Sequence, residues 1–213
     1  MFELSSKTKV NKKFRFAELY KMMAAGKEVK EDAKNISSVT LANVLSKETM
    51  NLSSDGKVKE IYIFELELVN KITPSLFIAA LDKSINLHTV FILKYNNEQM
   101  LYGCYKEKTE RGVKLGKYYG TDWTKESALI PLPLNVNTID DIYTAIIDEL
   151  IPITANQGEE TADFVARFDR INKLKTEISR LQKQVDNERQ PKKRFELNDE
   201  LKKLKKELES LEN

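Results

Sequence analysis

The sequence predicts an α+β fold: a mixed, mostly antiparallel sheet of about five strands with flanking helices, followed by an antiparallel, coiled-coil-like helical hairpin. Three observations lead there. Segments rich in β-branched or alternating apolar residues recur at 36–46, 57–69, 88–95, 98–106 and 112–123. One helix-length segment lies between the second and third of these, which allows a parallel crossover inside an otherwise antiparallel sheet. Beyond residue 158, leucines and isoleucines return at intervals of three and four, the period of a helical seam.

The elements follow in order. Good helix formers from about Phe14 to Ala25 predict a first helix that ends before Gly26, with a short second helix after it. ISSVTLANVLS (36–46) is the first strand, and Asp55-Gly56 marks the turn after it. In KVKEIYIFELELV (57–69), Tyr62, Phe64, Leu66 and Leu68 share one face; the other face begins with Ile61 and Ile63 and turns acidic at Glu65 and Glu67. Thr73-Pro74 predicts a capped helix start, with Phe77, Ile78, Leu81 and Ile85 as the buried stripe. HTVFILKY (88–95) carries four consecutive apolar residues, as a central strand covered on both faces does. Asn96-Asn97 tolerates the positive φ of a two-residue hairpin turn, EQMLYGCYK returns antiparallel, and GVKLGKYYGTDW extends the meander. Pro131 and Pro133 confine ALIPLPLNV to an edge or an extended crossing. Thr138 caps a final helix that carries Asp140 and Asp141 in its first turn and stops before Pro152.

The division expected is an α+β domain over 1–151, a polar linker at 152–158 and the helices over 159–213. Ile171, Leu174, Ile178, Leu181 and Val185 form one seam, extended backward by Phe164, and Leu197, Leu201, Leu204, Leu208 and Leu211 form a second. The two do not share a register through 186–196, where Pro191 sits. That pattern predicts a hairpin turning near Asn187 to Lys192, with a single bent helix as the alternative. Each seam is only two to three heptads long, so each helix needs a partner surface: the other arm, the α+β domain, or another protein.

Composition narrows the function classes. The net charge of +2 excludes an overall cationic surface, so any nucleic-acid contact must be local. A single cysteine, Cys104, and a single histidine, His88, exclude an internal disulfide and any multi-cysteine or multi-histidine metal site. No window approaches the apolar length of a membrane span, and no secretory leader is legible at the N-terminus. The expectation is a soluble cytoplasmic protein with no cofactor and no metal. The glycines never cluster into a phosphate-binding loop, which argues against nucleotide hydrolysis.

ERQPKKRFELNDELKKLKKELESL, EIYIFELELV and LDKSINLHTVFILKY, with the early KTKVNKKF and ETMNL, together resemble a bacterial family, the domain of unknown function numbered 4391, over nearly the whole chain. The resemblance implies a setting rather than an activity. Members are often encoded beside helicase and DNA methyltransferase genes of restriction-like defence loci, and no family catalytic residues exist to carry over.

Three groups of residues carry candidate chemistry. Glu65 and Glu67 on one strand face, with Lys94 on the neighbouring strand, supply the acids and lysine of a divalent-metal nuclease, but Glu stands at 67 where such sites place lysine. The simpler reading is a solvated sheet face of cross-strand ion pairs. Lys7, Lys9, Lys12, Lys13 and Arg15 beside Phe14 and Phe16 could neutralise phosphates and stack on bases, and Arg189, Lys192, Lys193 and Arg194 form a second basic group at the hairpin turn. The bland alternative for both is solvated lysine. The leading expectation is a non-catalytic accessory subunit that docks a protein partner of helicase or methyltransferase type, or a second copy of itself, through the C-terminal helices. A metal-dependent nuclease and a direct DNA-binding protein are the alternatives.

Overall fold

A computed structural model describes residues 2–109, 112–128 and 136–212. The chain divides into two compact units, Met1–Thr154 and Ala155–Asn213. Among the described residues of the first, seven strands form one sheet: β1 (Lys9–Phe14), β2 (Ile36–Ser46), β3 (Glu60–Leu68), β4 (His88–Tyr95), β5 (Glu98–Thr109) and β6 (Gly112–Gly120) lie side by side in chain order, and β7 (Thr124–Lys125) pairs with β5. Every pairing is antiparallel except β3 with β4, which run parallel. The helix α4 (Ser75–Ser84) connects that parallel pair, because parallel neighbours cannot be joined by a tight turn.

Two strands exceed the expected five. The basic segment assigned no strand forms β1 at the sheet edge, so the first helix is shorter than expected, α1 (Phe16–Met22). Asn11 takes a φ of 51°, and the register slips between Lys9 and Lys12. A lysine-rich, bulged edge strand resists pairing with another sheet. β2 and β4 have the bounds their composition predicts, and β4 is buried from His88 to Lys94. Asn96 and Asn97 turn the β4–β5 hairpin with φ of 45° and 64°. The two-proline segment at 131 and 133 lies outside the described residues.

One sheet face is covered by α1, α2 (Lys27–Asp32) and α4 around Phe64, Leu66, Phe77, Ile78, Leu81, Phe91 and Leu93. The start of α4 departs from expectation. Pro74 is its N-cap and supplies no side-chain cap, so Asp32 at the end of α2 accepts a hydrogen bond from the Phe77 amide at 2.9 Å. A tertiary carboxylate thus does the work of a local hydroxyl. Between β2 and β3, Ser46 and Thr49 form a capping box on a one-turn helix, α3 (Lys47–Met50). On the other face, α5 (Ile139–Leu150) buries Ile139, Ile142, Tyr143, Ile146, Ile147 and Leu150. Thr138, where the sequence starts this helix, forms a capping box with Asp141, one of the two first-turn acids.

The second unit is an antiparallel hairpin of α6 (Thr161–Asn187) and α7 (Pro191–Glu212). Pro191 opens α7, where its missing N–H is no loss. Leu181, Val185 and Leu201 are buried together, with Ile178, Leu197 and Leu204 packed on them. Across the hairpin, Arg170 pairs with Glu207, Lys175 with Glu212 at 2.6 Å, and Arg167 donates to the Leu211 carbonyl at 3.0 Å. Over Ile178, Leu181 and Val185 against Leu197, Leu201 and Leu204 the two seams therefore complete each other. No helix of the described residues is long and apolar enough to cross a membrane.

Candidate functional site

The most chemically dense cluster was not singled out from the sequence. Asp82 lies in the last turn of α4, on the same stripe as Ile78 and Leu81, and Lys106 continues the inward alternation of Met100, Tyr102 and Cys104 on β5. Both side chains are wholly buried and form an ion pair. A carboxylate on an apolar helix stripe and a lysine on the inward parity of a strand were the available signals; polar residue type hid them.

Every donor and acceptor of the pair is used. The Lys106 ammonium donates to Asp82 Oδ1, to Thr89 Oγ1 at 2.8 Å and to the Leu87 carbonyl at 2.8 Å. Asp82 also accepts from Thr89 on Oδ1, and on Oδ2 from Tyr118 at 2.5 Å and the Cys104 thiol at 3.6 Å. Alongside, Tyr143 of α5 accepts from the Lys106 amide at 2.7 Å and donates to the Cys104 carbonyl at 3.2 Å, and His88 meets the Tyr143 ring edge-on at 4.6 Å. The cluster ties α4, β4, β5 and β6 together through one carboxylate.

Burial sets its electrostatics. Desolvation lowers the Lys106 pKa, and the Asp82 charge only partly offsets this. Burial, then the Asp82 charge, pushes the Cys104 thiol up to about 12, so it is a thiol and not a nucleophilic thiolate at neutral pH. Burial, then the Lys106 cation, pulls His88 down to about 4, which keeps it neutral. A satisfied, solvent-free ion pair beside an unreactive thiol braces a sheet; it offers a substrate no exposed group.

Of the three residues read as nuclease-like, the structure brings two together. Lys94 lies 3.0 Å from Glu65 and 3.0 Å from Glu126, so the second carboxylate at Lys94 is Glu126 and not Glu67. Burial depresses the Lys94 pKa, but the hydrogen bonds to Glu126 and Glu65 outweigh it and the net shift is upward. Glu67 lies opposite Lys94 in the parallel register and is exposed. Among the described residues, no group of three or more His, Cys, Asp or Glu side chains is placed to hold a metal ion.

The two basic groups differ in character. Lys7, Lys9, Lys12, Lys13 and Arg15 are all exposed, but their interleaved aromatics turn inward: Phe14 packs on Phe64 at 6.3 Å, and Phe16 on Phe77 at 6.1 Å and Tyr20 at 5.9 Å. At the hairpin turn, Arg189, Lys192, Lys193 and Arg194 are exposed and the adjacent Phe195 is 75% exposed. Arg180, Lys183, Asn187, Glu188, Lys193 and Leu197 line a shallow hollow of about 570 Å³ beside them. Six cations face three carboxylates between residues 180 and 197.

These features define the class: an α+β sheet protein braced by a buried ion pair and followed by a self-paired helical hairpin with a cationic tip. The chain belongs to the family described as Domain of unknown function (DUF4391), whose model matches residues 2–208. No curated protein and no solved structure matches it.

Proposed function

We propose that the protein is a cytoplasmic, non-catalytic accessory subunit that docks a larger partner through the tip of its C-terminal hairpin. The observation that carries this is Phe195, a large aromatic left 75% exposed among Arg189, Lys192, Lys193 and Arg194. Exposed aromatics and arginines are enriched at protein interfaces. Near the turn the two seams satisfy one another, so the recognition surface is the exposed turn end of the hairpin. The partner this fits has an acidic surface around an apolar pocket. The family resemblance suggests a helicase or DNA methyltransferase of a restriction or phage-defence assembly.

The test is co-expression with the helicase and methyltransferase encoded beside the gene, followed by size-exclusion with light scattering. A stable complex that Phe195→Ala combined with Lys192→Glu and Arg194→Glu abolishes, without changing the thermal unfolding of the free protein, is the expected result. A complex indifferent to those substitutions, or none with either neighbour, overturns the reading.

A second reading, direct DNA contact along β1, is favoured by the five exposed cations between Lys7 and Arg15 on an uncovered sheet edge. It is a phosphate-contact surface without base stacking, since Phe14 and Phe16 pack inward. It predicts an affinity that falls steeply with salt and weakens when Lys9, Lys12 and Lys13 become glutamine. The nuclease reading of Glu65, Glu67 and Lys94 predicts magnesium- or manganese-dependent cleavage that Glu65→Gln removes, and the pairing of Lys94 with two carboxylates weighs against it.

A further inference from the structure

Beneath the loop that carries β7 lies a cavity of about 460 Å³, bounded by Ile92 and Leu101 of the sheet, by Leu150 and Pro152 at the end of α5, and by Ala128. Its volume falls within the range of small-molecule sites. Gln99, which also lines it, is only 4% exposed. The Gln99 Nε2 donates to the Ala128 carbonyl at 2.7 Å and faces the Lys125 carbonyl at 3.5 Å, which fixes the orientation of the amide: a flipped group would set oxygen against oxygen. The Oε1 is thereby left buried without a hydrogen-bond partner. A buried acceptor left unmet costs roughly 1–3 kcal/mol, so this atom calls for a donor from outside the described chain.

Two further features say what kind of donor. The rim carries the carboxylates of Asp122 and Glu149, both exposed and neither in an ion pair among the described residues. Glu149 lies in the last turn of α5, where the unpaired carbonyls of the helix end also favour positive charge. Hydrogen-bond donation to Gln99 Oε1, positive charge at the rim and apolar walls select one ligand class. The geometry points to this cavity as a binding site for a small organic cation, a protonated amine or amidine carried on an apolar body. The cation meets Asp122 and Glu149, an N–H reaches Gln99, and the hydrocarbon lies against Ile92, Leu101 and Leu150. The source is either a free amine or a basic side chain of a peptide.

Benzamidine and phenethylamine are suitable probes, with benzamide and 2-phenylethanol as neutral counterparts of the same shape and a lysine-containing tripeptide as the peptide arm. Titration of the full chain followed by backbone and side-chain amide resonances should show saturable shifts at the Gln99 side chain, Thr121 and Leu150. The cations should bind at least ~10-fold tighter than their neutral counterparts, equivalent to about 1.4 kcal/mol. Asp122→Asn combined with Glu149→Gln, both at exposed positions, should remove that preference while leaving thermal unfolding unchanged. Gln99→Met, checked for folding by its amide spectrum, should weaken both cations. Tighter binding of phenethylamine than of the tripeptide assigns a free amine, and the reverse order assigns a side chain; either order supports the site. The assignment is overturned if no probe saturates, if cations and neutral counterparts bind alike, or if the double variant retains the preference.

Discussion

Replacing Lys106 with methionine probes the brace of the sheet domain directly. The substitution keeps the apolar stem and removes an ammonium that donates to Asp82, Thr89 and Leu87. Asp82 is left buried without a counter-charge, and the Leu87 carbonyl loses its donor. Breaking a buried pair from one side costs about 3–5 kcal/mol. Tyr118 and Thr89 still donate to Asp82, which places the expected loss near the lower end, about 3 kcal/mol. Asp82→Asn should cost a similar amount by stranding the cation. The double variant, in which no buried charge remains, should lose less than the two single losses added, with a coupling of ~2 kcal/mol or more. Urea unfolding at pH 7, followed by Trp123 fluorescence, reports on this unit, and an unchanged slope would confirm that the denatured state is unaltered. A Lys106→Met loss below about 1 kcal/mol, or strict additivity in the double variant, would refute the reasoning.

Three further expectations follow from the same geometry. With its pKa raised to about 12, Cys104 should resist a thiol reagent at pH 8 in the folded protein and react fully in 6 M guanidinium; prompt reaction in the native state would contradict its placement. His88 titrates near 4 when folded and near 6.5 when unfolded. The unfolded chain therefore binds more protons in that window; the contribution is complete above pH 6.5 and is lost as pH falls toward 4, by about 3 kcal/mol in total. The difference in stability between wild type and His88→Phe should carry that pH dependence, and a flat difference would exclude it. Finally, a Cβ on Gly56 would lie 1.6 Å from Asp140 Oδ2, whose carboxylate accepts from the Lys57 and Val58 amides at 3.2 Å each. Gly56→Ala should cost ~1–3 kcal/mol in wild type and far less in an Asp140→Ala background, measured by the same urea titration.

Much of the fold was legible because its signals were local and periodic. β2 and β4 announce themselves by β-branched runs, the Asn96-Asn97 turn by residues that accept positive φ, and α5 by Thr138 and Asp141. What escaped depends on partners distant in sequence. β1 reads as a solvated basic stretch because an edge strand needs only one neighbour and no apolar face of its own. The cap of α4 comes from Asp32, more than forty residues upstream, and no local pattern reveals it. The same holds for the polar clusters. Glu65 and Lys94 were paired by strand adjacency, but Glu126 reaches them from a loop. Asp82 and Lys106 form a wholly buried ion pair, yet each looks like an exposed charge until the faces of α4 and β5 are assigned.

The hairpin shows that a seam pattern can be accounted for by folding alone. Seams of Leu and Ile suggest a surface waiting for a partner, and short helices do need one. Once Leu181, Val185 and Leu201 close on each other, the seam is spent on folding. The docking proposed for this hairpin therefore uses side chains outside the seam, and the periodicity that identifies the helices is silent about those. Phe195 lies outside the second seam, two residues before Leu197, beside cations that would be dismissed as solvated lysines and arginines. Its exposure is a tertiary fact, since the same residue facing α6 would be core. In the docking proposal, the physical distinction between a structural hairpin and a docking hairpin therefore reduces to one aromatic side chain and the charge around it.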